Sequence, residues 1–182
     1  FDFDEGYLES ICIYRAIAKE LPKYNAFVLH SAAIEIDGNA YCFAAKSGTG
    51  KTTHIMLWKK LFGDNVTIIN GDKPIVRRIN EEFFVFGTPW SGKTPCYKNE
   101  VLPLRASVRL SQAPHNIIKK LPALQSYASL MPACSCMRWD SKSTEALHKT
   151  VEKVISRIGS WHLECLPDAD AANVCRSAVT AQ

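Results

Sequence analysis

Apolar residues recur along this chain in two rhythms, and the rhythm switches where turn-forming residues fall. Leu8, Ile11, Tyr14, Ile17, Ala18 and Leu21 return at helical spacing, with Arg15 and Lys19 elsewhere, which predicts a helix over 8–21. Phe27-Val28-Leu29-His30 opens a region of strand-length segments. Ala33 to Ile36 and Ala40 to Ala44 flank Asp37-Gly38-Asn39, a hairpin signal. Lys51 to Phe62 carries Met56, Leu57, Leu61 and Phe62 at helical spacing, with Lys59 and Lys60 in the last turn and Gly63 just beyond it. Val66 to Ile69 reads as a buried strand. Ile75 to Ile79 and Phe83 to Phe86 read as a second hairpin around Asn80-Glu81-Glu82, and Ala106 to Leu110 as a further strand.

The remainder is less regular. Pro114, Pro122 and Pro132 break the stretch from Pro114 to Asp140 into short pieces, read as helical. Leu147, Val151, Val154, Ile155 and Ile158 then mark an amphipathic helix over 143–158. Trp161 to Leu166 reads as a strand, and Asp168 caps a closing helix that runs to Val179. A chain of 182 residues suits one domain: an N-terminal helix (1–23), a core (24–110) and a helical and strand part (111–182). The expected class is α/β, with flanking helices on a mixed sheet. The strand that leads into Lys51 is the second arm of a hairpin, whereas a simple parallel nucleotide-binding sheet would open there on a strand–helix–strand series.

That junction carries the candidate chemistry. Ala44-Ala45-Lys46-Ser47-Gly48-Thr49-Gly50-Lys51-Thr52-Thr53 is close to the phosphate-cradling string G-x-x-x-x-G-K-[ST], with Ala45 in the first glycine position. The mechanism needs a strand, a small flexible loop whose amides curl around phosphate, and a helix that begins at once. All three are predicted here, and Ala45 is tolerable if that position does not need positive φ. Gly87-Thr88-Pro89-Trp90-Ser91-Gly92-Lys93-Thr94 matches the letters fully. Yet Pro89 removes an amide, Pro95 follows directly, and no helical pattern comes after. Phosphate binding is therefore assigned to Ser47, Gly48, Thr49, Gly50, Lys51, Thr52 and Thr53. The second stretch is either a loop closing over the reacting groups, with Lys93 supplying charge, or a surface turn anchored by Trp90.

His30, a strand–turn–strand, a Ser-Gly-Thr-Gly-Lys-Thr loop, then a strand ending in Gly71-Asp72, together resemble the catalytic domain of HPr kinase/phosphorylase. That domain shares its nucleotide-binding core with ATP-dependent phosphoenolpyruvate carboxykinase. The ending Trp161-His162-Leu163-Glu164-Cys165-Leu166-Pro167-Asp168, followed by an alanine-rich helix, is also similar to small HPr-kinase-like proteins. The resemblance implies ATP and Mg²⁺ as ligands, with Lys51 neutralising phosphate charge and Thr52 and Asp72 holding the metal. It implies catalytic roles for Asp72, His30 and Lys51, a protein or peptide acceptor, and a homo-oligomer; Lys93 joins the catalytic candidates through its place in the Gly87 loop. His30 reads equally as a packed residue at a strand end. The family pattern has two consecutive aspartates where this chain has Gly71-Asp72, so the base expected beside the metal ligand is missing.

Composition trims the alternatives. The net charge is +4, and basic pairs such as Arg77-Arg78 and Lys119-Lys120 are scattered, which gives nucleic-acid binding no support. As neighbours in a strand, Arg77 and Arg78 face opposite ways, so at most one reaches the site. No apolar run reaches membrane-spanning length and no signal peptide is visible. Seven cysteines at irregular spacing point to a reduced, cytoplasmic protein. Cys12, Cys42 and Cys165 are expected to pack as free thiols, and Cys134-x-Cys136 lacks partners for a zinc site. The chain begins with Phe1 and is expected to be a piece of something longer. Three functions are left: a kinase acting on a hydroxyl, most plausibly serine; a nucleotide-binding regulatory module; and, more weakly, a carboxykinase-like enzyme.

Overall fold

The strand-forming segments assemble into one ten-stranded mixed sheet, seen in a computed structural model that describes residues 4–92, 95–136 and 139–181. The order along the chain is α1 (Glu5–Glu20), β1 (Ala26–Leu29), β2 (Ser31–Ile36), β3 (Asn39–Ala44), α2 (Lys51–Phe62) and β4 (Thr67–Asn70). It continues with β5 (Ile75–Ile79), β6 (Glu82–Phe86), β7 (Val101–Gln112), β8 (Ile117–Lys120), α3 (Ala123–Leu130) and β9 (Cys134–Ser135). The chain closes with α4 (Ser141–Arg157), β10 (Gly159–Cys165) and α5 (Ala169–Thr180). Across the sheet the strands run β4-β2-β3-β7-β6-β5-β1-β9, with β10 on β7 and β8 on β10. Among the described residues, only the pairings of β7 with β3 and with β10 are parallel; the others are antiparallel. The α/β mixed-sheet expectation therefore holds, with antiparallel pairing dominant.

The hairpin between β2 and β3 forms as read. Asp37 and Gly38 both adopt left-handed backbone angles, φ 51° and 74°, which match the twist of the strands they join. Both faces of β3 are buried. Tyr41 and Phe43 pack with Ile55 and Trp58 of α2 and with Ala172 and Cys175 of α5. Ala40 and Cys42 face the opposite core, which Leu147, Val151 and Val154 of α4 complete. These are three of the five apolar positions that mark the helix in the sequence; Ile155 and Ile158, partly buried, pack against the same core, and Asp140 and Asp168 cap α4 and α5 through their side chains. Among the described residues, no helix is long and apolar enough to cross a membrane.

Four local expectations fail, each for an identifiable reason. The α2 face that meets the sheet is Lys51, His54, Ile55 and Trp58, whereas Met56 and Leu61 stay exposed. His54 is polar by type but is matched inside, since Trp58 Nε1–H donates to His54 Nε2 at 2.9 Å. β7 begins at Val101 and runs through Pro103. It pairs with β6 over Val101–Pro103, and with β3 and β10 beyond, so the proline sits where the strand passes between half-sheets. β8 and β9 lie in the stretch read as helical pieces. β8 pairs only with β10 and is mostly exposed, which leaves it no apolar alternation to read. Finally, Cys12 is exposed instead of packed, while Cys42 is buried.

The His54 arrangement has a measurable consequence. Burial pushes its imidazole from 6.5 down to about 4, so the folded protein keeps it neutral. Between those values the unfolded chain binds the proton and the folded one does not, so stability falls as pH drops through that window. Urea denaturation at successive pH values should show a slope approaching about 1.4 kcal/mol per pH unit from this group. His54→Gln, which keeps an acceptor for Trp58, should flatten it; an unchanged slope would remove His54 as the cause.

Candidate active site

The loop between β3 and α2 has the backbone that its small residues allow. Gly48 and Gly50 adopt φ of 80° and 116°, whereas Ala45 is not among the residues with positive φ, so alanine is accommodated there without strain. Thr49 N–H donates to Lys46 O, and Gln112 Nε2–H braces the loop from β7 by donating to Thr49 O at 3.2 Å. In α2 the first N–H with a backbone acceptor is that of His54, which donates to Gly50 O. The N–H groups of Lys51, Thr52 and Thr53 precede it and have no intrahelical partner, and the positive end of the helix is directed the same way.

Lys51 is the unusual residue. Only 8% of it is exposed, yet it forms no ion pair among the described residues. Its ammonium lies 3.0 Å from His30 Nε2 and 3.3 Å from Ala45 O. The same His30 nitrogen lies 3.0 Å from Asp72 Oδ1. One ring nitrogen cannot accept from Lys51 and donate to Asp72 at once, so the three groups cannot all be satisfied together. Burial lowers the Lys51 pKa, Asp72 opposes that shift, and Lys73 adds to it. For Asp72, burial pushes the carboxyl up, but the His30 hydrogen bond and the charges of Lys73, His30 and Lys51 outweigh it. The net effect holds Asp72 below its ordinary value and ionised at neutral pH.

A second layer fixes Asp72. Asn70 Oδ1 accepts from the N–H groups of Asp72 and Lys73, and Asn70 Nδ2 donates to Thr88 O at 2.7 Å. Thr88 Oγ1–H donates to Lys73 O, and Ser31 N–H donates to Asp72 O. Asn70 and Thr88 are both buried, so their bonds clamp the 70–73 turn against the loop after β6. In that loop, Trp90 packs edge-on against Tyr14 of α1 and donates to Ser10 Oγ at 3.1 Å, which anchors it. Gly92 sits close enough to Asp72 that an added Cβ would lie 3.2 Å from the aspartate's own. The stretch 87–92 thus forms a wall of the site, and residues 95–100 form no helix. Lys93 lies outside the described residues.

His30, Ser47, Gly48, Gly50, Lys51, Thr52, Thr53 and Asp72 therefore line one cleft of about 700 Å³, together with Gly71, Lys73, Ser91, Gly92 and Cys96. Thr49 faces a neighbouring cavity on the other side of the loop. Neither Arg77 nor Arg78 lines the cleft; Arg78 instead pairs with Glu81, which also meets Arg157. Sequence reading missed Asn70, Lys73 and Thr88. The only available signal was their position beside Gly71-Asp72 and inside the Gly87 stretch. Gly71 is closed to any side chain, because an added Cβ would meet Ser91 O at 2.6 Å and Cys96 Sγ at 2.7 Å. Among the described residues, no group of three or more His, Cys, Asp or Glu is placed to hold a metal.

Comparison with known proteins adds little to this site. No family model matches the sequence, and no curated protein matches it. Among solved structures, the fold is similar to that of the Hpr(Ser) kinase/phosphatase from Coxiella burnetii, with 8% sequence identity and a TM-score of 0.48 over 84% of this chain and 88% of that one. A likeness at that level carries no residue roles, and those must come from the cleft itself.

Proposed function

We propose that this chain is an ATP-dependent phosphotransferase that moves the γ-phosphoryl group to a hydroxyl, that of a serine in a protein or peptide. The observation that carries the reading is Lys51, a buried ammonium that makes no ion pair among the described residues, at the start of a helix and facing a cleft that also holds an ionised aspartate. A phosphate entering there resolves the conflict at His30. Lys51 turns to the anion, and Nε2–H is left free to donate to Asp72. The helix-start amides of Lys51, Thr52 and Thr53 supply further donors to the phosphates.

Thr52 and Asp72 suit Mg²⁺, a hard cation that takes oxygen ligands and shares the rest of its shell with phosphates and water. Bound there, it would offset charge on the transferring group. The acceptor oxygen forms its bond to Pγ, the bond from Pγ to the bridging oxygen breaks, and ADP leaves. The acceptor's proton passes to Asp72 or to His30 beside it. Asp72→Asn keeps the size of the side chain and should lower transfer from labelled ATP by about 10²-fold or more. Transfer at the wild-type rate in that variant would refute the assignment.

One observation favours a second reading, a nucleotide-binding regulatory module with little or no transfer. The position where the resembled family carries its first aspartate is Gly71, and it has no room for a side chain. ATP binding without transfer to any hydroxyl acceptor would select this reading.

A further inference from the structure

Two more cavities open off the central cleft, at opposite ends of the glycine loop. One, of about 590 Å³, shares Gly48, Gly50 and Thr53 with the cleft and has walls of Leu57, Leu110, Leu166 and Pro167. The other, of about 380 Å³, shares His30 and Ser47 with the cleft and is bounded by Lys46, Arg109 and Ser129. We propose that this second cavity receives the phosphate acceptor, and that the acceptor carries an anionic group next to its hydroxyl. The proposal rests on the phosphotransferase reading above.

The layout assigns the two ends. In phosphoryl transfer the attacking and leaving oxygens lie in line across the phosphorus, so acceptor and nucleoside must approach from opposite sides. The apolar walls of the larger cavity suit a flat nucleobase. The smaller one opens beside His30, which contacts Asp72, so a hydroxyl arriving from it reaches the group that takes its proton.

Charge then describes the acceptor. Ala106, Val108 and Leu110 of β7 point into the core under α2 and α5, so Arg109 faces the other side of the sheet, towards α3. Arg109 and Lys46 are both exposed, and among the described residues neither forms an ion pair. Among the described residues, no acidic one lines this cavity. Two cations on a concave wall, with no carboxylate to answer them, favour an anion and disfavour a basic ligand. A side-chain carboxylate, a chain-terminal carboxylate and a phosphate all meet that description.

The test uses short serine peptides with the purified chain, Mg²⁺ and labelled ATP, alongside ATP affinity measured by calorimetry. The peptides flank serine with Glu, Gln, Lys or phosphoserine, each with a free or amidated C-terminus, which separates the three anion sources. An anionic peptide should show a KM about tenfold below its Gln counterpart, and Arg109→Glu should shift the preference towards the Lys peptide without weakening ATP binding. Equal use of anionic and neutral peptides, or an unaltered ranking in Arg109→Glu, would overturn the subsite alone. Absence of ATP binding by the wild-type chain, or ATP binding without transfer to any peptide, would instead overturn the phosphotransferase reading, and the subsite with it.

Discussion

Lys51→Met should weaken ATP binding by about 10²-fold or more and, in the same protein, raise the stability of the nucleotide-free chain. The two effects have one cause. The ammonium is buried, and burial lowers its pKa, so the empty site bears a desolvation cost that the charge of Asp72 offsets only in part. Its contacts are a shared nitrogen of His30 and a carbonyl at 3.3 Å, and neither carries a full negative charge. Methionine has similar length, fills the same volume and removes that cost. A phosphate contributes the missing charge, so the wild type should gain stability on adding ATP and Mg²⁺ while the variant gains little. Calorimetric titration gives the affinity and thermal unfolding gives the stability. Unchanged affinity would remove the nucleotide site. A variant less stable than the parent, with affinity lost, would make Lys51 a structural residue whose removal disturbs the cleft.

Much of this site was legible because its parts are local. A glycine pair, a lysine and a threonine at fixed spacing need only a strand before and a helix after, and both were visible as apolar rhythm. Asp72 was legible for a similar reason, as a carboxylate at the end of a buried strand. What stayed hidden depends on contacts between distant segments. Asn70 and Thr88 act as a pair only because the loop after β6 folds back over the 70–73 turn, and neither residue type announces such a bond. His54 broke the amphipathic reading of α2, because its partner Trp58 makes a polar ring acceptable in the core. β8 and β9 escaped because an edge strand and a two-residue strand bury too little to leave a period. The Gly87 stretch shows the converse: it satisfies every letter of a phosphate-binding string, yet its described residues 87–92 form a wall of the cleft.

That wall determines what an aspartate at position 71 would do. Gly71→Asp, the substitution that makes the chain look more like the family it resembles, should destabilise it by about 2–4 kcal/mol and should not raise phosphoryl transfer. An added Cβ would lie 2.6 Å from the carbonyl oxygen of Ser91 and 2.7 Å from Cys96 Sγ. The thiol can rotate away. The carbonyl belongs to a backbone segment held by Ser91 N–H donating to Pro89 O, by Cys96 N–H donating to Ser91 Oγ and by the anchored Trp90 ring, so it moves only if the wall moves. Moving the wall shifts Gly92, which lies against Asp72, and so disturbs the carboxylate the new aspartate was meant to assist. Gly71→Ala should show most of the stability loss, because the clash begins at Cβ, and Cys96→Ala should rescue only a minor part. Urea denaturation of the three variants measures this order. A Gly71→Asp protein as stable as its parent and faster in transfer would mean that the loop yields readily, and that the missing aspartate, not the cleft geometry, limits this chain.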